Sequence, residues 1–148
     1  MRRKGLALFV LLLALAPVGC GGEEEQGVAG ESALTLTLAE QKDSGQSGTA
    51  TLTADGDAQT RVVVELSNPP GPTQPSHIHS GTCDDIGPVV APLESVEDGK
   101  AESVVSMPLE ELQRGGLIVH AHKSEAESKV SVACAEIPKA AMSKGYGY

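Results

Sequence analysis

The sequence predicts an all-β domain: an antiparallel sandwich or barrel of about seven or eight short strands with at most one short helix. Three observations predict it. Apolar residues alternate with polar ones at period two through most of the chain after Ala33, the spacing of half-buried strands. Clusters of Gly, Pro, Asp, Asn and Ser separate these stretches at the places where hairpins turn. The apolar content is aliphatic, with no Trp and one Phe in 148 residues, so the core is built from Leu, Val, Ile and Ala.

The chain opens on Arg2-Arg3-Lys4, an apolar run from Leu6 to Ala16, and Pro17-Val18-Gly19-Cys20. This is the layout of a secretory signal peptide over residues 1–19, and the run is too short for a spanning helix. Gly19-Cys20 resembles a bacterial lipoprotein cleavage site, although Pro17 stands where that motif usually has leucine. The resemblance implies a lipid on Cys20 and an exported protein held at the membrane, facing the extracytoplasmic side. Three cysteines leave one over in an oxidising compartment; with Cys20 lipidated, Cys83 and Cys134 can pair.

Residues 20–31 are rich in glycine and glutamate and form a tether. The eleven residues after Cys20 span about 18 Å as a flexible chain. The formal charge of −9 speaks against nucleic acid and anionic lipid surfaces as partners. Membrane contact is therefore expected through the N-terminal lipid only, and no feature points to a protein partner.

The domain itself is expected over residues 32–138. Leu34, Leu36 and Leu38 alternate with Thr35 and Thr37 in a first strand. Lys42 to Gly48 supplies a turn, and Thr49 to Ala54 a second strand. Asp55-Gly56-Asp57 turns into a third, Gln59 to Ser67, with Val62, Val64 and Leu66 inward and Arg61 and Glu65 outward. Asn68-Pro69-Pro70-Gly71-Pro72 breaks regular structure. Beyond His77-Ile78-His79 come a loop at Cys83 to Pro88, an apolar stretch at Val89 to Leu93, and a strand from Ala101 to Met107. Pro108 at a first helical position, Glu110, Glu111 and the stop Gly115-Gly116 predict one or two helical turns. Leu117 to His122 and Lys129 to Ile137 are the last strands, the latter alternating Val130, Val132 and Cys134 against Ser131 and Ala133. Residues 139–148 form a loose tail.

All four histidines fall in two His-x-His triplets, His77-Ile78-His79 and His120-Ala121-His122. In a strand each triplet places both imidazoles on one face, opposite Ile78 and opposite Val119 and Ala121, and therefore outside the hydrophobic core. Two such strands side by side would gather four imidazoles, a donor set suited to copper or zinc. The same residues also suit a polar sheet face with no metal.

Together these stretches resemble the copper/zinc superoxide dismutase superfamily, and also the small extracellular CHRD domains that share the His-Ile-His-x-Gly and Gly-Pro-Val-Val patterns. The resemblance implies a Greek-key, superoxide dismutase-like fold. It implies copper ligation by His77, His79 and His120, to which His122 adds a fourth nitrogen, and a bridge from Cys83 to Cys134. The superfamily's zinc loop has no counterpart between His79 and His120, so no zinc site is expected. Ser131 stands where the superfamily has its guiding arginine, with Lys123 a candidate substitute, and no catalytic residue is assigned. The function expected is copper binding by an exported lipoprotein. The alternatives are a copper-only superoxide dismutase and a non-catalytic CHRD-like structural or interaction domain.

Overall fold

The computed structural model describes residues 32–141 except Pro70 and Pro72. The signal segment, Cys20, the whole tether and residues 142–148 lie outside the described residues. Ten strands and one short helix follow in order: β1 (Ala33–Glu40), β2 (Gly48–Asp55), β3 (Gln59–Leu66), β4 (Thr73–Gln74), β5 (Ser76–Gly81), β6 (Ile86–Pro92), β7 (Val96–Glu97), β8 (Lys100–Val105), α1 (Leu109–Leu112), β9 (Leu117–His122) and β10 (Ser131–Glu136). No helix among the described residues is long and apolar enough to cross a membrane.

All strand pairs are antiparallel, in the order β4-β7-β8-β3-β2-β1-β10-β9-β5-β6. The sheet curls so that its two halves share one core. β1 joins them, pairing with β2 along most of its length and with β10 at Ala39 opposite Cys134 and Glu40 opposite Ala133. Leu36, Leu38, Ala50, Leu52, Val62 and Val64 come from one half of the core, and Ile78, Val119, Ala121, Val132 and Ala133 from the other. The described residues contain no Phe, Tyr or Trp, so this packing is aliphatic throughout.

The first three strands lie where the alternation puts them, and Val62, Val64 and Leu66 are buried as expected. The strand count is higher than seven or eight because β4 and β7 are two-residue ladders, too short to carry a period. β6 starts at Ile86, inside the segment expected to be a loop, and runs through Pro88 to Pro92. It ends the sheet order, where a residue without an amide hydrogen costs no ladder bond. Val89 and Val90 are consequently exposed.

β10 begins at Ser131 rather than Lys129. Val130 lies outside it and is exposed, and a register shift between Ser131 and Ala133 breaks the simple alternation. Pro108 is the extended residue before α1 (φ −65°, ψ 151°) rather than its first helical residue. Beyond Pro138 the chain is still held at one point, where the Ala140 amide donates to the Gln113 carbonyl (2.9 Å).

Candidate metal centre

β5 and β9 are neighbours, with His77 opposite His120, Ile78 opposite Val119 and Ser76 opposite Ala121. Because the side-chain period of a strand is two, this register puts His77, His79, His120 and His122 on one face and Ile78, Val119 and Ala121 on the core face. The rings form a single cluster. Centroids lie 4.4 Å apart for His120 and His122, 5.1 Å for His77 and His122, 5.3 Å for His79 and His120, and 5.4 Å for His77 and His79.

The rings are outside the hydrophobic core, yet they are not a solvent-facing row. His79, His120 and His122 are buried (7, 2 and 8 % exposed) and only His77 is half-buried.

Hydrogen bonds fix each ring differently. His79 Nδ1 lies 2.9 Å from the Gly87 carbonyl, which can only accept, so Nδ1 carries the proton and Nε2 the lone pair. That Nε2 is buried without a partner. His77 Nδ1 lies 3.1 Å from His122 Nε2. His120 Nε2 is 2.6 Å from the Ser131 hydroxyl, leaving its Nδ1 buried and unpartnered.

One ring nitrogen from each of His77, His79 and His122 can be chosen so that all lie within 4.8 Å of one another. His120 is not in that group; it stacks edge-on against His122 and is turned to Ser131. The structure thus gathers all four sequence-predicted residues but brings the ligand atoms of only three together.

The cluster favours neutral rings. Burial, then the neighbouring His122, His79 and His77, push His120 down to about 3. Burial, then His77 and His79, push His122 down to about 4. The Ser128 backbone opposes this, close to the ring but short of hydrogen-bond geometry, since His122 Nδ1 has no partner. His77 is lowered by burial and by His79, with the Glu125 carboxylate acting the other way.

The surrounding backbone holds these rings in place. Gly81 has φ +103°, and a Cβ there would sit 2.2 Å from the Asp85 carbonyl oxygen, so only glycine permits the turn that returns the chain to Gly87. Cys83 and Cys134 are joined by a disulfide (Cα–Cα 5.8 Å), tying this turn to β10 at the residue opposite His120. His122 is clamped on its main chain: its amide donates to the Pro75 carbonyl (2.9 Å) and its carbonyl accepts from the Gln74 side chain (3.1 Å). Gln74 and Gln46 are buried and bond each other reciprocally at 2.8 and 3.1 Å.

Gly87, Gln74 and Gln46 escape a reading of the sequence because they reach the site only through non-local pairing. Ser131 is marked in the sequence as the counterpart of the superfamily's guiding arginine, and nothing there marks it as the partner of His120.

No curated protein and no solved structure matches the chain. The pattern of the CHRD domain matches residues 31–130, which hold both His-x-His triplets and Cys83 and stop short of Cys134. Since that match spans more than half of the chain and contains the whole histidine cluster, this protein belongs to the CHRD domain family.

Proposed function

We propose that the chain is an exported, lipid-anchored CHRD domain that acts by binding rather than by catalysis, and that its histidine cluster holds a transition-metal ion, copper foremost. CHRD membership supports the structural or interaction part of this reading. The metal part is carried by one observation: His79 is buried, its Nδ1 is occupied by Gly87, and its unpartnered Nε2 belongs to the three-histidine group within 4.8 Å.

A buried lone pair without a donor costs about 1–3 kcal/mol, and a cation is the partner it lacks. Two nitrogens bound to one ion at about 2.0–2.1 Å lie about 3.3 Å apart in tetrahedral geometry. The His77 and His122 nitrogens stand 3.1 Å apart. The proton they share would move to a distal ring nitrogen on binding. Because His122 and His120 stay neutral down to about 4 and about 3, no proton has to be expelled from either ring near pH 7.

An all-nitrogen set suits copper and zinc alike. The resemblance to the copper/zinc superoxide dismutase superfamily favours copper, and the placement of β8 beside β3 and of β5–β6 beside β9 supports the Greek-key reading that goes with it. All four histidines are used in this one cluster, so none remains for a separate zinc site. Superoxide turnover is no part of this function: Ser131 stands where the superfamily's guiding arginine would be, and its hydroxyl faces His120.

The test is to incubate the purified protein with copper(II), desalt it and measure retained metal. About one ion per chain is expected for a single site of this kind; none retained would sink the metal reading and leave the interaction domain.

A further inference from the structure

The sheet is open along one seam. Among the described residues β6 ends the strand order, and β8 has β3 along one side but β7 on the other only at Lys100 opposite Glu97. The Leu66 amide on the Gly99 carbonyl (2.7 Å) sets the phase of the ladder between β3 and β8. Bonded and open positions alternate along an antiparallel strand, so Ala101, Ser103 and Val105 turn their backbone groups to β3 while Glu102 and Val104 turn theirs away. No strand among the described residues pairs with those outward amides and carbonyls.

The two free edges share one cavity of about 310 Å³, lined by Val90, Ala91 and Pro92 of β6 and by Val104, Val105 and Met107 at and just beyond the end of β8. Val90 and Val104 are 41 and 49 % exposed. The seam is stitched at one end, where the Glu94 amide donates to the Ser103 hydroxyl (2.8 Å), and stands open at Val104. β6 is a poor edge for a ladder because Pro88 and Pro92 lack an amide hydrogen, so a further strand would bond to β8 and meet β6 through apolar contact. The segments that form the seam, residues 86–99 and 101–113, carry Glu94, Glu97, Asp98, Glu102, Glu110 and Glu111 and no Lys or Arg. Arg61, opposite Val104 in the ladder, is engaged by Asp55 and Glu102.

We infer that this seam accepts an extended segment of a partner protein, with β-branched apolar side chains and flanking Lys or Arg, which adds as a strand along β8. Each feature selects one property of the occupant. The outward groups of Glu102 and Val104 require an extended backbone, the Val and Met lining requires compact apolar side chains, and the acidic flanks require basic ones. A second copy of this chain is the wrong partner, because it would set its own acidic seam against this one. This rests on the interaction part of the function proposed above and uses no residue of the histidine cluster.

The experiment selects binders from a displayed library of random short peptides on the purified protein, then titrates the enriched peptides, fluorescently labelled, into wild type, Val104→Pro, Val90→Asp and the distant control Thr35→Asp. Enrichment of alternating β-branched residues flanked by Lys or Arg is expected, with binding that weakens as salt rises. Val104→Pro removes only the outward donor and spares the ladder to β3, and Val90→Asp places a charge in the cavity without touching β8. Each is expected to weaken binding about tenfold, and Thr35→Asp to leave it unchanged. No enrichment, or enrichment of acidic peptides, overturns the inference. Enriched peptides that bind both seam variants as tightly as wild type also overturn it and move the interaction surface elsewhere on the domain. Self-association of the wild type that Val104→Pro abolishes overturns it in favour of a second copy. Copper(II) retention is read separately on the same wild-type protein, so a failure here leaves the metal part of the proposed function standing.

Discussion

The Nδ1 atom of His77 lies 3.1 Å from Nε2 of His122, although the residue opposite His77 in the strand register is His120. The ring of His120 is turned away by the Ser131 hydroxyl, and His122 takes its place against His77. The two members of the second triplet therefore have different roles. His79→Ala and His122→Ala should each weaken copper(II) binding by about an order of magnitude or more, whereas His120→Ala should cost less. Competition titrations of the three variants check this, and an equal loss in His120→Ala would place His120 among the ligands.

Acid should destabilise the metal-free protein through these rings. His120 and His122 have folded-state pKa values of about 3 and about 4, below the ordinary histidine value of about 6.5 that holds when the chain unfolds. The unfolded chain thus binds protons first. The stability associated with the neutral rings is fully present above about pH 6.5 and is lost as pH falls toward about 4 and then 3, on the order of a few kcal/mol in all. Urea midpoints measured from about pH 7 to about pH 4.5 should fall more steeply in wild type than in His120→Asn/His122→Asn. Parallel profiles would show that the rings titrate normally in the fold.

Ser131→Ala should destabilise the fold without touching a candidate ligand. It leaves the buried Nε2 of His120 without its 2.6 Å partner, at a cost of about 1–3 kcal/mol. Thermal unfolding with a matched Ser128→Ala control measures it, and an unchanged melting temperature would mean that the hydrogen bond contributes nothing net.

The disulfide closes a separation of 51 residues, and in the chain-entropy model its loss costs about 4 kcal/mol. Cys83→Ala/Cys134→Ala should show that loss in urea unfolding. It should also weaken metal binding, because the turn it anchors ends at Gly87, whose carbonyl orients His79. Retention of full affinity in the double variant would show that Gly81 and the β5–β6 ladder hold Gly87 unaided.

Cys20→Ser should move the protein from the membrane fraction to the soluble or unprocessed fraction. An unchanged membrane fraction would argue against lipid at that residue.

Strands β1, β2 and β3 were legible because each buries one face, and their inward residues alternate without interruption. β6 and β10 were less so: β6 is an exposed edge carrying Pro88 and Pro92, and β10 is buried on both faces from Val132 to Ala135, so neither keeps a period of two. At the site, the triplet spacing gave the face shared by each pair of histidines. It could not give strand adjacency, nor the rotation that sets His122 rather than His120 against His77. Those depend on Gly87, Ser131 and Gln74, which meet their histidine partners only after the strands have paired.

The aromatic-free core also decides how the molecule can be watched. The only aromatic rings among the described residues are the four imidazoles, which are nearly transparent at the wavelengths where proteins are usually quantified. Tyr146 and Tyr148 are the two tyrosines of the sequence, and both lie outside the described residues. The same transparency leaves an open spectral window in which imidazole-to-copper charge-transfer bands would stand alone, so an optical titration reads the centre with little background from the fold around it.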